Sequence, residues 1–210
     1  MSSEDRPGIY TPHGCQLNYL AHFALAGPET GLLVGGFLGD YIKGRLENRF
    51  SPEIERGIRL HRAIDQYTDS HPVVKNSYKR FDPRFRRYAG IITDIAFDHL
   101  LAQNWPRYYN EPLESYSAST LEKLLAHKDM LTDAALQSAS RMQEHNSLAH
   151  YGRLEFLERS LAYLSGRLKH ANPLIEAYPH CEEQLPSLQE DLSVFYPELM
   201  EFCDEWKQLH

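Results

Sequence analysis

The stretch GIRLHRAIDQYTDSHP, residues 57–72, places His61, Arg62, Asp65, Asp69 and His71 within sixteen positions. On a helix, residues four apart share a face, so His61 and Asp65 form one pair and Asp69 extends its stripe. Asp94 and Asp98 repeat the spacing, with His99 beside Asp98. Two carboxylate–imidazole faces meeting across a bundle would hold a divalent cation with oxygen and nitrogen ligands. That donor set suits Mn²⁺, Fe²⁺, Mg²⁺ or Zn²⁺, and carboxylate-rich versions lean toward Mn²⁺ or Mg²⁺. Asp40 ends the apolar run LLVGGFLGD, where Gly35, Gly36 and Gly39 permit close helix approach, and His22 in NYLAH lies on an apolar helix side. Each also has a structural alternative: Asp65 with Arg62 as a surface ion pair, Asp94 as a cap, His22 as a core histidine. Polar groups on several packing faces are nevertheless costly unless they are paired or bind metal.

The elements that must position these residues read as helices. Apolar residues repeat at three and four from Leu17 to Leu25, and Gly27-Pro28 breaks the segment before a second helix over 29–42. Ser51-Pro52-Glu53 starts a third, continuing to about Asp69, where His71-Pro72 ends it. Residues 75–88 are helical in part, interrupted at Asp82-Pro83, and Ala89–Gln103 stops at Asn104-Trp105-Pro106. Later helices are expected over 119–130, 133–145, 151–168 and 181–206, the last with breaks near Pro186 or Pro197. No alternating strand pattern competes. The expectation is an all-α single-domain helical bundle over 17–210, preceded by an irregular extension at 1–16.

Composition narrows the function classes. The chain has 210 residues, 42% hydrophobic and 24% charged, and its longest apolar run is far too short for a bilayer, which needs about 20 residues. Three separated cysteines and no leader-like N-terminus point to the cytoplasm. P-loop, G-x-S-x-G and C-x-x-C motifs are missing. The net charge of −7 is uneven: residues 41–107 hold thirteen Lys/Arg against eight Asp/Glu. Within that region KNSYKRFDPRFRRY gathers Lys75, Lys79, Arg80, Arg84, Arg86 and Arg87 against one acid, Asp82. Such a region attracts anionic partners; one short patch on an acidic chain is poor equipment for nucleic acid.

NYLAH (18–22), GDYIKG (39–44), GIRLHRAIDQYTDSHP (57–72) and ITDIAFDHLLAQNW (92–105) together resemble the acyl carrier protein phosphodiesterases, a divergent form of HD-type metal-dependent phosphohydrolases. The motifs come in the family's order over roughly 17–106, with weaker similarity through FYPEL (195–199), while about sixteen residues precede the first motif. The resemblance implies hydrolysis of the phosphodiester joining 4′-phosphopantetheine to a serine of holo-acyl carrier protein, with Mn²⁺ as cofactor. It implies site residues Asp40, His61, Asp65, Asp94, Asp98 and His99, with His22 as a further candidate. Metal ligation is expected of the first five. His99 or His22 would protonate the departing serine oxygen or ligate metal, and Arg62 would stabilise charge on the phosphoryl oxygens. The acidic carrier would dock on the basic patch. The competing readings are a phosphohydrolase of nucleotides or other small phosphoesters, and a carrier-binding protein without catalysis.

Overall fold

The computed structural model describes residues 19–168 and 170–210. The expected irregular extension at 1–16 and the helix start at Leu17 lie outside them. The described residues contain ten α-helices and no strand. In chain order these are α1 (Tyr19–Ala26), α2 (Thr30–Leu38), α3 (Pro52–Ser70), α4 (Pro72–Tyr78), α5 (Ala89–Gln103), α6 (Trp105–Tyr108), α7 (Leu113–Ala126), α8 (Asp133–Glu144), α9 (Leu154–Arg167) and α10 (Ala177–Leu209).

α3 begins as its sequence dictates, with Pro52 at the first helical position and Glu53 and Glu55 complementing the positive end of the dipole. His71, in extended conformation before Pro72, ends α3 and introduces α4. The Asp82-Pro83 interruption becomes a short 3₁₀ turn, Pro83–Tyr88, in which the Asp82 carboxylate accepts the Arg84 backbone N–H at 2.9 Å. α5 is apolar almost all round and is buried accordingly: α1, α4, α9 and α10 pack around it.

α2 and α3 make the tightest pair. A Cβ on Gly35 would lie 2.8 Å from the Cα of Gly57, and one on Gly57 would lie 2.8 Å from that of Gly35. Side chains at either position would drive the helices apart. Gly36, by contrast, faces open space, so only part of the expected glycine contact exists.

Several helix limits differ from the sequence reading. α2 stops at Leu38 instead of Ile42, so Asp40 sits in the turn after the helix. α7 starts at Leu113, because Leu113 is buried and the Tyr116 ring packs against Trp105, 4.8 Å between centroids. α10 runs through Pro186 and Pro197 without a break. Both prolines are exposed, so water can satisfy the carbonyls they strand, while Leu188, Leu192, Phe195, Tyr196 and Leu199 hold the helix to the core.

Candidate functional site

α1, the turn after α2, and α3 bring four expected residues together: His22, Asp40, His61 and Asp65. His22 Nε2 lies 3.3 Å from one oxygen of Asp65, and His61 Nε2 lies 3.2 Å from the other. The two imidazoles stack with centroids 4.2 Å apart. Asp40 Oδ1 is also 3.2 Å from His61 Nε2, so two carboxylates converge on a single ring nitrogen. His22, His61 and Asp40 are buried, whereas the Asp65 side chain is 44% exposed. Gly39 is what makes the arrangement possible: a Cβ there would run into the His61 ring.

The donor atoms of His22, His61 and Asp65 all lie within 4.8 Å of one another. The Nδ1 atoms of both histidines are buried with no hydrogen-bond partner, leaving these rings without a backbone anchor. Two imidazoles and a carboxylate, with Asp40 directed at the same His61 nitrogen, fit a divalent cation. The electrostatics agree. Burial works against a charged His61, but Asp40 and Asp65 outweigh it and raise its pKa to about 10. Burial likewise acts against ionised Asp65, but the two histidines overcome it and hold the carboxyl below its usual range.

The cluster opens on a cavity of about 240 Å³ with two unlike walls. His22, Asp65, Asp69, Asp94, Asp98 and Lys43 contribute polar groups, while Phe97, Leu101, Leu192, Phe195 and Leu199 form an apolar side. Asp94 faces this cavity outside the three-donor cluster. Burial, and then the carboxylates of Asp65, Asp69, Asp98 and Asp40, push its pKa well above the usual range.

Several expected site residues have other occupations. Both oxygens of Asp98 accept backbone N–H groups of α1, from Leu20 at 2.8 Å and Ala21 at 2.9 Å. Asp98 thus caps the helix that carries His22. Burial raises its pKa to about 7 against the opposing effect of those bonds. His99 is the core histidine that His22 was weighed to be. Its Nδ1–H donates to the Tyr151 carbonyl at 2.9 Å, on the side of α5 facing away from the cavity. Adjacent residues on a helix point about 100° apart, which separates His99 from Asp98. Arg62 is not on the cavity wall either; its guanidinium donates to the Ile42 carbonyl at 2.9 Å. Asp69 lies on the wall and accepts from the Tyr78 hydroxyl at 3.4 Å, while His71 pairs with Glu198 at 2.9 Å.

The basic segment divides. Arg80 is bidentate to Asp191, and Arg84 bonds Glu176 and His180, so both brace the segment against α10 and the turn before it. Lys79 donates to Asn76. Lys75, Arg86 and Arg87 are exposed. Lys43 escaped the sequence reading, although GDYIKG was singled out for its Asp40. The α10 wall was also missed, since nothing near the motifs signals a partner about a hundred residues away.

A sequence profile described as acyl carrier protein phosphodiesterase matches residues 17–199. A protein of that name from Yersinia enterocolitica is 30% identical over 186 residues, covering 88% of this chain and 96% of the relative. The Serratia proteamaculans protein of the same name is 28% identical, covering 92% and 100%, and one from Escherichia coli is 26% identical, covering 88% and 96%. No solved structure matches the chain. Among the described residues no helix is long and apolar enough to cross a membrane.

Proposed function

Because this chain belongs to the acyl carrier protein phosphodiesterase family, we propose that it hydrolyses the 4′-phosphopantetheine–serine diester of holo-acyl carrier protein. Water adds to phosphorus and the bond from phosphorus to the serine oxygen breaks. The serine oxygen takes up a proton, giving apo-carrier and free 4′-phosphopantetheine. The observation that carries this reading is the His22–His61–Asp65 cluster opening on a bipartite cavity.

His22, His61 and Asp65 would hold the divalent cation, for which we propose Mn²⁺, with Asp40, directed at the same His61 Nε2, as a further carboxylate beside it. When bound, such an ion neutralises phosphoryl charge and lowers the pKa of water. The remaining work falls to the protein. The environment drives Asp65 and Asp94 in opposite directions, which separates an ionised carboxylate from one that keeps its proton. Asp94 is on the cavity wall, and we assign it to protonate the departing serine oxygen in place of His99. The apolar wall excludes water from one side of the diester and leaves room for the aliphatic part of the prosthetic group.

Docking of the acidic carrier falls to Lys75, Lys79, Arg86 and Arg87, with Arg80 and Arg84 bracing the segment from beneath. The buried free thiols Cys181 and Cys203 accord with a reducing cytoplasm as the place of reaction. The test is to incubate the purified protein with Mn²⁺ and holo-acyl carrier protein and follow the carrier by mass spectrometry. Loss of the phosphopantetheine group is expected; an unchanged carrier across Mn²⁺, Mg²⁺, Fe²⁺ and Zn²⁺ would sink the assignment.

A further inference from the structure

A phosphodiester entering this cavity meets a wall rich in carboxylates. Asp65, Asp69, Asp94 and Asp98 line it, and the only Lys or Arg among the lining residues is Lys43. Lys43 is exposed, and among the described residues no ion pair ties its ammonium to a carboxylate. Its position is set by an unusually well-held turn. On one side Asp40 is fixed against His61, and on the other Gly44 adopts φ +78, a backbone conformation that a side chain would strain. Between them Ile42 is buried, and its carbonyl receives the Arg62 guanidinium at 2.9 Å. Arg62 therefore grips the backbone one residue before Lys43 and leaves the phosphate-facing position to the lysine.

We propose that Lys43 binds the non-bridging phosphoryl oxygens of the diester, and that Arg62 is a positioning residue acting through the Asp40–Gly44 turn. This rests on the phosphodiester reading above for its substrate, but the anion site can be tested without that substrate. A mobile ammonium suits charge that grows on oxygens during displacement, because it can follow them, whereas a guanidinium already bonded to a carbonyl cannot. Lys43 shares the cavity wall with His22 and Asp65, which would hold the cation.

Inorganic phosphate is titrated by calorimetry into wild type and Lys43→Met, each with and without Mn²⁺, and Mn²⁺ affinity is measured separately. Phosphate should bind about tenfold more weakly to Lys43→Met, as expected when a charge-assisted hydrogen bond is lost, with Mn²⁺ affinity unchanged. With holo-acyl carrier protein, kcat should fall about 100-fold in Lys43→Met, and Lys43→Arg should recover part of the loss. Arg62→Met should lower kcat in the wild-type background yet add little in the Lys43→Met background, since both changes remove one interaction.

Equal phosphate affinity in wild type and Lys43→Met, or no phosphate binding by wild type, overturns the anion site. A full Arg62→Met effect in the Lys43→Met background overturns the positioning role. If wild type leaves holo-carrier intact while phosphate binding still depends on Lys43, the substrate assignment falls and the anion site stands.

Discussion

Asp98 accepts the backbone N–H of Ala21 at 2.9 Å with one carboxylate oxygen, and its other oxygen takes Leu20 at 2.8 Å. The carboxylate of α5 thereby holds the first turn of α1, and His22 follows Ala21 directly. Asp98→Ala should destabilise the fold by about 1–3 kcal/mol, the cost of leaving buried donors unsatisfied. It should also weaken Mn²⁺ binding through the displaced His22. Urea denaturation and metal titration measure the two effects. A variant of wild-type stability with no metal affinity would mean that Asp98 is itself a ligand.

Asp65 touches both histidines of the cluster. Asp65→Ala should abolish metal-dependent turnover while unfolding stays cooperative in urea, since the side chain is half exposed and carries little packing. Asp94→Asn should instead keep Mn²⁺ affinity and lose about 10²–10⁴-fold in kcat, the usual range for general acid catalysis. Equal loss of metal affinity in both variants would return Asp94 to the ligand set.

Metal binding should depend on pH with a defined sign. The unloaded site holds a proton on His61, whose pKa stands at about 10, and a ring nitrogen must give up its proton to ligate. Between pH 6 and 9 Mn²⁺ affinity should therefore rise with pH, by about tenfold per unit for one displaced proton. Calorimetry in buffers of different ionisation enthalpy should register release of that proton. A flat affinity across this window would show that His61 is already neutral.

Gly39→Ala places a methyl group against the His61 ring. The ring cannot retreat, because it is buried between His22 and Asp40. A cost of about 1–3 kcal/mol is expected from overpacking, with metal affinity reduced in step. Gly36→Ala, facing open space one turn earlier, is the control and should be neutral or slightly stabilising in the same thermal melts.

Reversing Arg86 and Arg87 to Glu should raise KM for holo-acyl carrier protein and flatten or invert its dependence on salt, leaving kcat intact. Arg84→Glu should act through stability, because Arg84 bonds Glu176 and His180. An unchanged KM in the Arg86/Arg87 variant would place carrier docking elsewhere.

Local sequence carried the all-helical class, the limits of α3 and α5, and the pairing of His61 with Asp65. Helix periodicity, Pro at the first turn and His-Pro at the end are local facts, and they survive folding because neighbouring residues along a helix remain neighbours. What tertiary structure decided was which polar groups share a centre. His99 and Asp98 are adjacent in sequence, yet one bonds the Tyr151 carbonyl and the other caps α1, because a helix turns adjacent side chains toward different neighbours. Arg62, expected to face phosphate, bonds the backbone instead for the same reason. The Ile42 carbonyl that occupies Arg62 lies twenty residues away in the chain, and only the packing of α2 on α3 brings it there.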